Sequence, residues 1–281
     1  MLADTQIKSS VLSYSAFIII LLITFQFSVS QDCVAQYYCR NTSFSASEKL
    51  TYNVYYNLGF INIKLADVVL WVEETIYNNK SVFLVQNSSI TVQKYEWIIK
   101  VDDYYASYID KNTMQVERHI QKTVVDDYYT DYEYRFDHSK KKLYVSIENS
   151  NTKKYLDTLN LKPCLHDLLS ACYYPRNIDY SKLTVGEKIS LPVILDTNIY
   201  KIYYKYLGKE VINIEKKKKL ECIKIAPLLV KTSIFRAGEK MTAWLSNDKN
   251  KIPILMETNL WIGKISVRIM EYEGLRYPAG Y

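Results

Sequence analysis

The 281-residue chain carries 36 Lys and Arg against 30 Asp and Glu, a formal net charge of +6, and 48% of its residues are hydrophobic. Length and apolar content exclude intrinsic disorder, and the mild charge, interleaved with acids along most of the chain, argues against a nucleic-acid-binding face. Seven glycines exclude collagen-like and glycine-linker chains, while 27 Tyr, 8 Phe and 4 Trp favour strands over helices.

In chain order, the first feature is the apolar run Ala16 to Phe27, preceded by Lys8 and followed by Ser28-Val29-Ser30. Small residues at the minus three and minus one positions complete a signal-peptide pattern, so residues 1–30 are expected to be removed. The run is shorter than the roughly 20 residues a spanning helix needs, and no second run of that length follows, so no transmembrane span is expected after cleavage. Asp32 before Cys33 argues against lipid attachment there. Export implies an oxidising compartment, in which Cys33 and Cys39 of the 31–47 tail are expected to close a disulfide. Cys164, Cys172 and Cys222 remain without an assigned pairing. If residues 164 to 172 form one helix, those two Cα atoms lie about 12 Å apart, too far for a bridge.

From residue 48 to 275 alternation dominates and predicts a single antiparallel β domain, with 276–281 as a tail. Residues 50–58 alternate with the period of a strand that has one wet face. Comparable runs occupy 60–75, 81–92, 95–108, 114–121, 124–136, 143–147, 188–195, 199–206, 209–215, 220–226, 240–246, 253–259 and 262–271. So many strands at short spacing predict an all-β fold, one large curved sheet forming a barrel or half-barrel, with a two-sheet sandwich as the alternative. Glycines 59, 186, 208, 238 and 274 fall between runs and mark turns. Asn149 to Lys154 reads as polar linker sequence, and the lysine runs 140–142 and 216–219 as solvated hairpin turns.

One stretch breaks the period. Leu165, Leu168, Leu169 and Cys172 fall at i, i+3, i+4 and i+7, predicting a helix near 164–173 with Asp167 in its first turn and Pro175 ending it.

Chemistry-bearing patterns are sparse. Val101-Asp102-Asp103-Tyr104-Tyr105 recurs as Val125-Asp126-Asp127-Tyr128-Tyr129; paired carboxylates beside tyrosines suit calcium or a sugar, but equally a solvated face of an Asp- and Tyr-rich chain. No Gly-x-Ser-x-Gly, phosphate loop or His-Glu-x-x-His occurs, and three scattered histidines offer no zinc spacing. His166, Asp167 and Ser170 share one short stretch, but a catalytic triad needs His between acid and nucleophile. No catalytic residue, metal or cofactor is therefore expected.

Several runs taken together resemble the domain of unknown function 3108 family, exported proteins of Gram-negative bacteria. They are Phe44 to Tyr52, Asp167-Leu168-Leu169-Ser170, Tyr173-Tyr174-Pro175-Arg176, Leu207-Gly208-Lys209-Glu210, Cys222 to Pro227, Gly238-Glu239-Lys240-Met241, Trp244 to Asp248, Gly263-Lys264-Ile265 and Tyr272-Glu273-Gly274-Leu275. The resemblance covers about residues 44 to 275. The chain departs from the pattern where the lysine run replaces a turn glycine before Cys222 and where Thr232 replaces one before Phe235. The resemblance implies a mostly antiparallel β domain in the periplasm or at the outer membrane, with no established activity.

The motif residues Asp167, Ser170, Arg176, Gly208, Trp244, Asp248, Gly263 and Gly274 are read as structural. Asp167 is expected to support the helix start, and Arg176 to pair with an acid or donate to carbonyls. Alternation places Tyr52 and Tyr56, and Tyr200, Tyr204 and Tyr206, on the same side as aliphatic residues. A half-open barrel would let those hydroxyls meet water or a headgroup while the rings line an apolar pocket. The expected function is thus a non-enzymatic exported domain that binds an amphipathic ligand, a lipid or glycolipid. The alternatives are an assembly factor that binds an envelope protein through a sheet edge, and a carbohydrate-active enzyme.

Overall fold

The computed structural model describes residues 40–280 except 98, 216–217, 229–240 and 261. Among them, strands β1 (Lys49–Leu58), β2 (Ile61–Tyr77), β3 (Lys80–Thr91), β4 (Val101–Asp110), β5 (Val116–Val125), β6 (Tyr128–Asp137), β7 (Lys142–Asn149) and β8 (Thr152–Asn160) precede the helix α1 (Leu168–Tyr173). Strands β9 (Lys188–Leu195), β10 (Asn198–Glu215), β11 (Lys218–Pro227), β12 (Thr242–Ser246), β13 (Pro253–Asn259) and β14 (Lys264–Glu273) follow it.

All fourteen form one antiparallel sheet in the order β8-β7-β6-β5-β4-β3-β2-β1-β14-β13-β12-β11-β10-β9. The first and last strands pair at its centre, and β8 and β9 are the two edges. Those edges do not pair with each other. The connector between them lies along β9, where His166 N donates to Pro192 O at 3.0 Å and Ile194 N donates to His166 O at 2.9 Å. Leu165 of this wedge and Ile194 of β9 pack with Val116, Tyr134, Phe136, Leu143, Val145 and Ile147 of β5 to β7, and the Tyr134 hydroxyl donates to Asp196 O at 3.0 Å. The sheet therefore curls until both edges share one core, as a barrel-like sheet left open along one seam rather than a sandwich.

Three sequence expectations are corrected. The supposed linker at 149–154 runs into β8, an edge strand almost wholly exposed and so lacking an apolar alternation to reveal it. The runs 199–206 and 209–215 are one 18-residue strand, β10, with a bulge opposite β11 between Tyr206 and Lys209, where Gly208 takes φ +92. The helix is six residues long, beginning at Leu168; Leu165 belongs to the wedge, and Leu168 and Cys172 lie on its exposed side.

Six residues do not make a stable helix alone. Asp167 caps this one, its Oδ1 accepting from Leu169 N at 2.8 Å and Ser170 N at 2.9 Å while Asp167 N donates to Ser170 Oγ at 3.1 Å. Packing supplies the rest. Leu169 and Tyr173 bury against Phe44, Val72, Phe83, Val85 and Ile109, while Ala171, Tyr174 and Tyr180 bury against Leu191, Val193, Tyr204, Tyr206, Ile223 and Ile225. At about 1.5–3 kcal/mol for each large side chain buried, these contacts hold the helix against the concave face.

Past the helix, Arg176 reaches a second core. It donates to both carboxylate oxygens of Glu48, at 2.6 and 2.7 Å, and to Asn250 O twice at 3.1 Å. The rings of Phe44 and Tyr173 cover the guanidinium at 5.6 and 5.1 Å. Burial alone would lower the Arg176 pKa, but the Glu48 carboxylate overrides it and drives the value upward. The pair ties the entry to β1, the helix exit and the 247–251 turn together. That turn is shaped by Asp248, whose Oδ1 accepts from Ser246 Oγ, Asn250 N and Lys251 N at 2.7, 3.0 and 3.0 Å. Trp244 Nε1 donates to Glu210 Oε2 at 2.8 Å. Gly274 has φ +59, and a Cβ there would lie 1.9 Å from Ser47 O, so no other residue fits. Gly263 closes the β13–β14 hairpin against Tyr56 and Asn57.

Candidate functional site

Residues directly opposite one another in neighbouring strands share a face, so the registers define rows across the concave side. One row runs Val72, Val85, Ser107, His119, Tyr134, Val145, and every member is 2% exposed or less. The next row, Leu70, Asn87, Tyr105, Gln121, Tyr132, is half-buried apart from Asn87. The row after that, Val68, Ser89, Asp103, Thr123, Thr130, is half-buried throughout. On the other side of β1, Val54, Val267 and Met256 are half-buried, whereas Ala243, Ile225 and Tyr206, which continue their row, are buried. Among the described residues the concave face is thus closed at the helix end and only half-covered toward the β1–β2 hairpin.

The exposed side of α1 faces these half-buried rows as the floor of a shallow recess, since Cys172 lies near enough to the Tyr105 hydroxyl to act on it. Leu168 is 39% exposed and Cys172 is exposed beside it, one turn along. Burial nevertheless pushes the Cys172 thiol up to about 11, with the Asp167 carboxylate adding to the effect. At that pKa the thiol is no nucleophile at neutral pH.

The recess walls differ in chemistry. Strands β1, β2, β13 and β14 contribute Val54, Ala66, Val68, Val267 and Met256. Strands β3 to β6 contribute Ser89, Asp103, Tyr105, Gln121, Thr123 and Tyr132. Burial raises the Tyr105 pKa to about 12, helped by the Asp103 charge, and the Tyr105 hydroxyl lies 3.4 Å from Thr123 Oγ1. Burial also raises Asp103, against hydrogen bonds from Thr123 and Tyr105 that lower it; its Oδ1 is buried with no hydrogen-bond partner. One wall is aliphatic and the other holds donors and acceptors.

The expected ligand face is corrected in part. Tyr52 is fully buried with Leu50, Trp244 and Ile254. Tyr204 donates its hydroxyl to Ala171 O at 2.7 Å, and Tyr206 packs on Tyr180 with ring centroids 5.5 Å apart. The helix and the turns after it occupy the space those hydroxyls were to share with water. Tyr56 remains half-buried near the recess mouth and donates to Ile262 O at 3.1 Å; Tyr200 is exposed beside the β9–β10 hairpin.

A buried Ser, His and Asp do meet, though not the trio the sequence suggested. Ser107 Oγ donates to Asp167 Oδ1 at 2.7 Å, and His119 Nδ1 lies 2.9 Å from Ser107 Oγ and 3.2 Å from Asp167 Oδ1. All three are 0% exposed. Serine and acid bond directly instead of through the imidazole, so this is a helix-cap anchor, not a nucleophile relay. Burial alone would raise the Asp167 pKa, but His119 and the hydrogen bonds from His119, Ser170 N and Ser107 hold it well below the carboxylate range. Ser107 and His119 are hairpin partners; only their meeting with Asp167 was beyond local pattern. His166 lies 3.1 Å from Ser170 Oγ, and burial lowers its pKa to about 4, against the Asp167 charge that raises it.

The repeated Val-Asp-Asp-Tyr-Tyr segments meet only at Val101 and Val125, which pair across β4 and β5. Asp126 and Asp127 form the exposed turn, with Asp126 Oδ1 accepting from Lys100 N at 2.8 Å. Among the described residues, no group of three metal-ligating side chains comes together. Cys172 and Cys222 are free thiols, so Cys172 is not bridged to Cys164; Cys222 is buried, and burial pushes it up to about 12. Cys33, Cys39 and the leader lie outside the described residues. Among the described residues no helix is long and apolar enough to cross a membrane.

Residues 51–270 match the family model described as protein of unknown function DUF3108. No curated protein matches the chain. Among solved structures, the chain is similar to a beta-barrel-like protein of domain of unknown function DUF1849 from Brucella abortus, with a TM-score of 0.52 and 9% identity, covering 83% of this chain and 99% of that one. It also aligns with a Bacteroides fragilis protein of YmcC-like fold at a TM-score of 0.36 and 7% identity, over 82% of this chain and 97% of that one. The first likeness concerns the fold alone.

Proposed function

The chain belongs to the domain of unknown function 3108 family, and from that premise we propose that it is an exported, non-enzymatic domain holding an amphipathic cell-envelope molecule, a lipid or glycolipid, in the open part of its concave face. The observation behind this reading is the gradient along that face, from a row at 2% exposure or less to a row half-buried throughout, within one continuous sheet. An aliphatic wall, a facing polar wall and an exposed helix face as floor suit an acyl chain with its headgroup toward β3 to β6. The leader pattern supports action in the periplasm or at the outer membrane. Enclosure of the Ser107, His119 and Asp167 cluster supports a structural rather than catalytic role for those residues.

Native mass spectrometry and organic extraction of protein purified from its own envelope test the reading. The expected result is a stoichiometric amphiphile that is lost in Ala66→Trp, which fills the recess. A wild-type protein that carries no such molecule contradicts it. A second reading, a protein partner added at the sheet edge, draws on the exposed strand β8 with Tyr155 and Leu156 at its surface. Lys153 and Lys154 on the same strand are the side chains that guard an edge against such pairing, so the recess is preferred.

A further inference from the structure

The recess opens toward loops whose tips are apolar. In the β1–β2 hairpin Leu58 is 40% exposed, Phe60 100% and Ile61 39%; in the adjacent β13–β14 hairpin Ile262 is 68% exposed. The two hairpins are joined side by side, since β1 pairs with β14 from Asn57 and Lys264 inward and Tyr56 donates to Ile262 O at 3.1 Å. The 92–100 loop lies beside them, with Val92 N donating to Leu65 O at 2.8 Å, and Trp97 there is 81% exposed. Large apolar side chains exposed together at neighbouring loop tips are not explained by folding.

Charge is ordered around these tips. Across residues 55–64 and 258–265 the only charged residues are Lys64 and Lys264, and the 92–100 loop adds Lys94 and Lys100 against Glu96. Lys64 pairs with Asp67 and Lys264 with Glu257, acids that lie further from the tips along β2 and β13. Apolar tips in front and lysines a short step behind is the arrangement of an interfacial anchor, in which side chains enter the acyl boundary and ammonium groups sit at headgroup level. The β5–β6 turn, with Asp126 and Asp127, adjoins the far end of the 92–100 loop, where Asp126 Oδ1 accepts from Lys100 N at 2.8 Å, so contact would favour the β1 and β14 side.

From this placement we infer that Leu58, Phe60, Ile61, Trp97 and Ile262 seat the recess mouth on the surface of an anionic phospholipid bilayer. The inference extends the ligand reading, since a mouth resting on a membrane takes up or delivers an amphiphile without passing it through water. It stands on the tips alone and is testable apart from the ligand.

The test is co-sedimentation of the exported protein with vesicles of phosphatidylethanolamine and phosphatidylglycerol, and with vesicles of phosphatidylcholine alone. The wild type is expected to bind the anionic vesicles more tightly, and less so as salt rises. Phe60→Asp with Ile262→Asp, both exposed and so neutral to folding by thermal melting, is expected to weaken binding by about tenfold or more. Absence of vesicle binding overturns the inference, as does equal binding to both compositions or unchanged binding by the double variant. Dimerisation through the tips, lost in the double variant without any vesicle binding, overturns it in favour of a second copy. An amphiphile found by native mass spectrometry in a protein that ignores vesicles overturns the docking inference while leaving the recess reading in place.

Discussion

The two ends of the concave face are built from the same strands and differ in what lies on them. At the helix end, Asp167 with Ser107 and His119, and Arg176 with Glu48, are removed from water in two bonded groups, and the row around the first is closed. At the hairpin end, the same strands continue with Val68, Ser89, Asp103 and Thr123 only half-covered. A short helix cannot cover the whole inner face of a curled sheet of fourteen strands. The part it fills became a polar-pinned core, and the remainder stayed half-covered, which puts the pinned core and the proposed recess at opposite ends of one sheet.

Substitutions separate the two ends. The largest cost is expected for Arg176→Ala, which leaves the Glu48 carboxylate buried without its partner and should reduce unfolding free energy by about 3–5 kcal/mol in urea titrations. Replacing both members, Glu48→Leu with Arg176→Met, should cost less than the sum of the single changes, because neither charge is then stranded.

Acid should loosen the same end next. The folded His166 value of about 4 lies below the unfolded 6.5, so the unfolded chain binds more protons between those values. The stabilisation is complete above about pH 6.5 and is lost as pH falls toward 4, by about 3 kcal/mol in all. Urea midpoints measured across that window should slope in the wild type and flatten in His166→Asn.

Asp167→Ala removes the cap and leaves Ser107 and His119 short of an acceptor, for an expected loss of about 2 kcal/mol in thermal or urea melts. At the other end, Tyr105→Phe and Thr123→Val should change stability by no more than about 0.5 kcal/mol. Equal costs at the two ends would remove the distinction between them.

Much of this architecture was legible in the alternation. Fourteen runs of period two foreshadowed thirteen of the strands from Lys49 to Glu273, because a sheet with one closed face writes its register into every second residue. Strand β8 escaped because an exposed edge needs no such pattern. The tyrosines misled for the opposite reason: alternation correctly put Tyr204 and Tyr206 on the inner face but carried no information on whether a helix would cover it. Asp167 and Arg176 were legible as helix-end residues, whereas Ser107 and Glu48, their partners, lie 60 and 128 positions away and only the curled sheet brings them near. The recess itself left no local signature, since it is the space that the helix does not reach.

Methyl-resolved nuclear magnetic resonance of the delipidated protein, titrated with a lysophospholipid below its micelle concentration, tests the division most directly. The signals of Ala66, Val68 and Met256 are predicted to shift saturably while those of Val85, Val145 and Leu191 stay in place. Shifts confined to the outer face, or none at all, would contradict a ligand recess at the hairpin end.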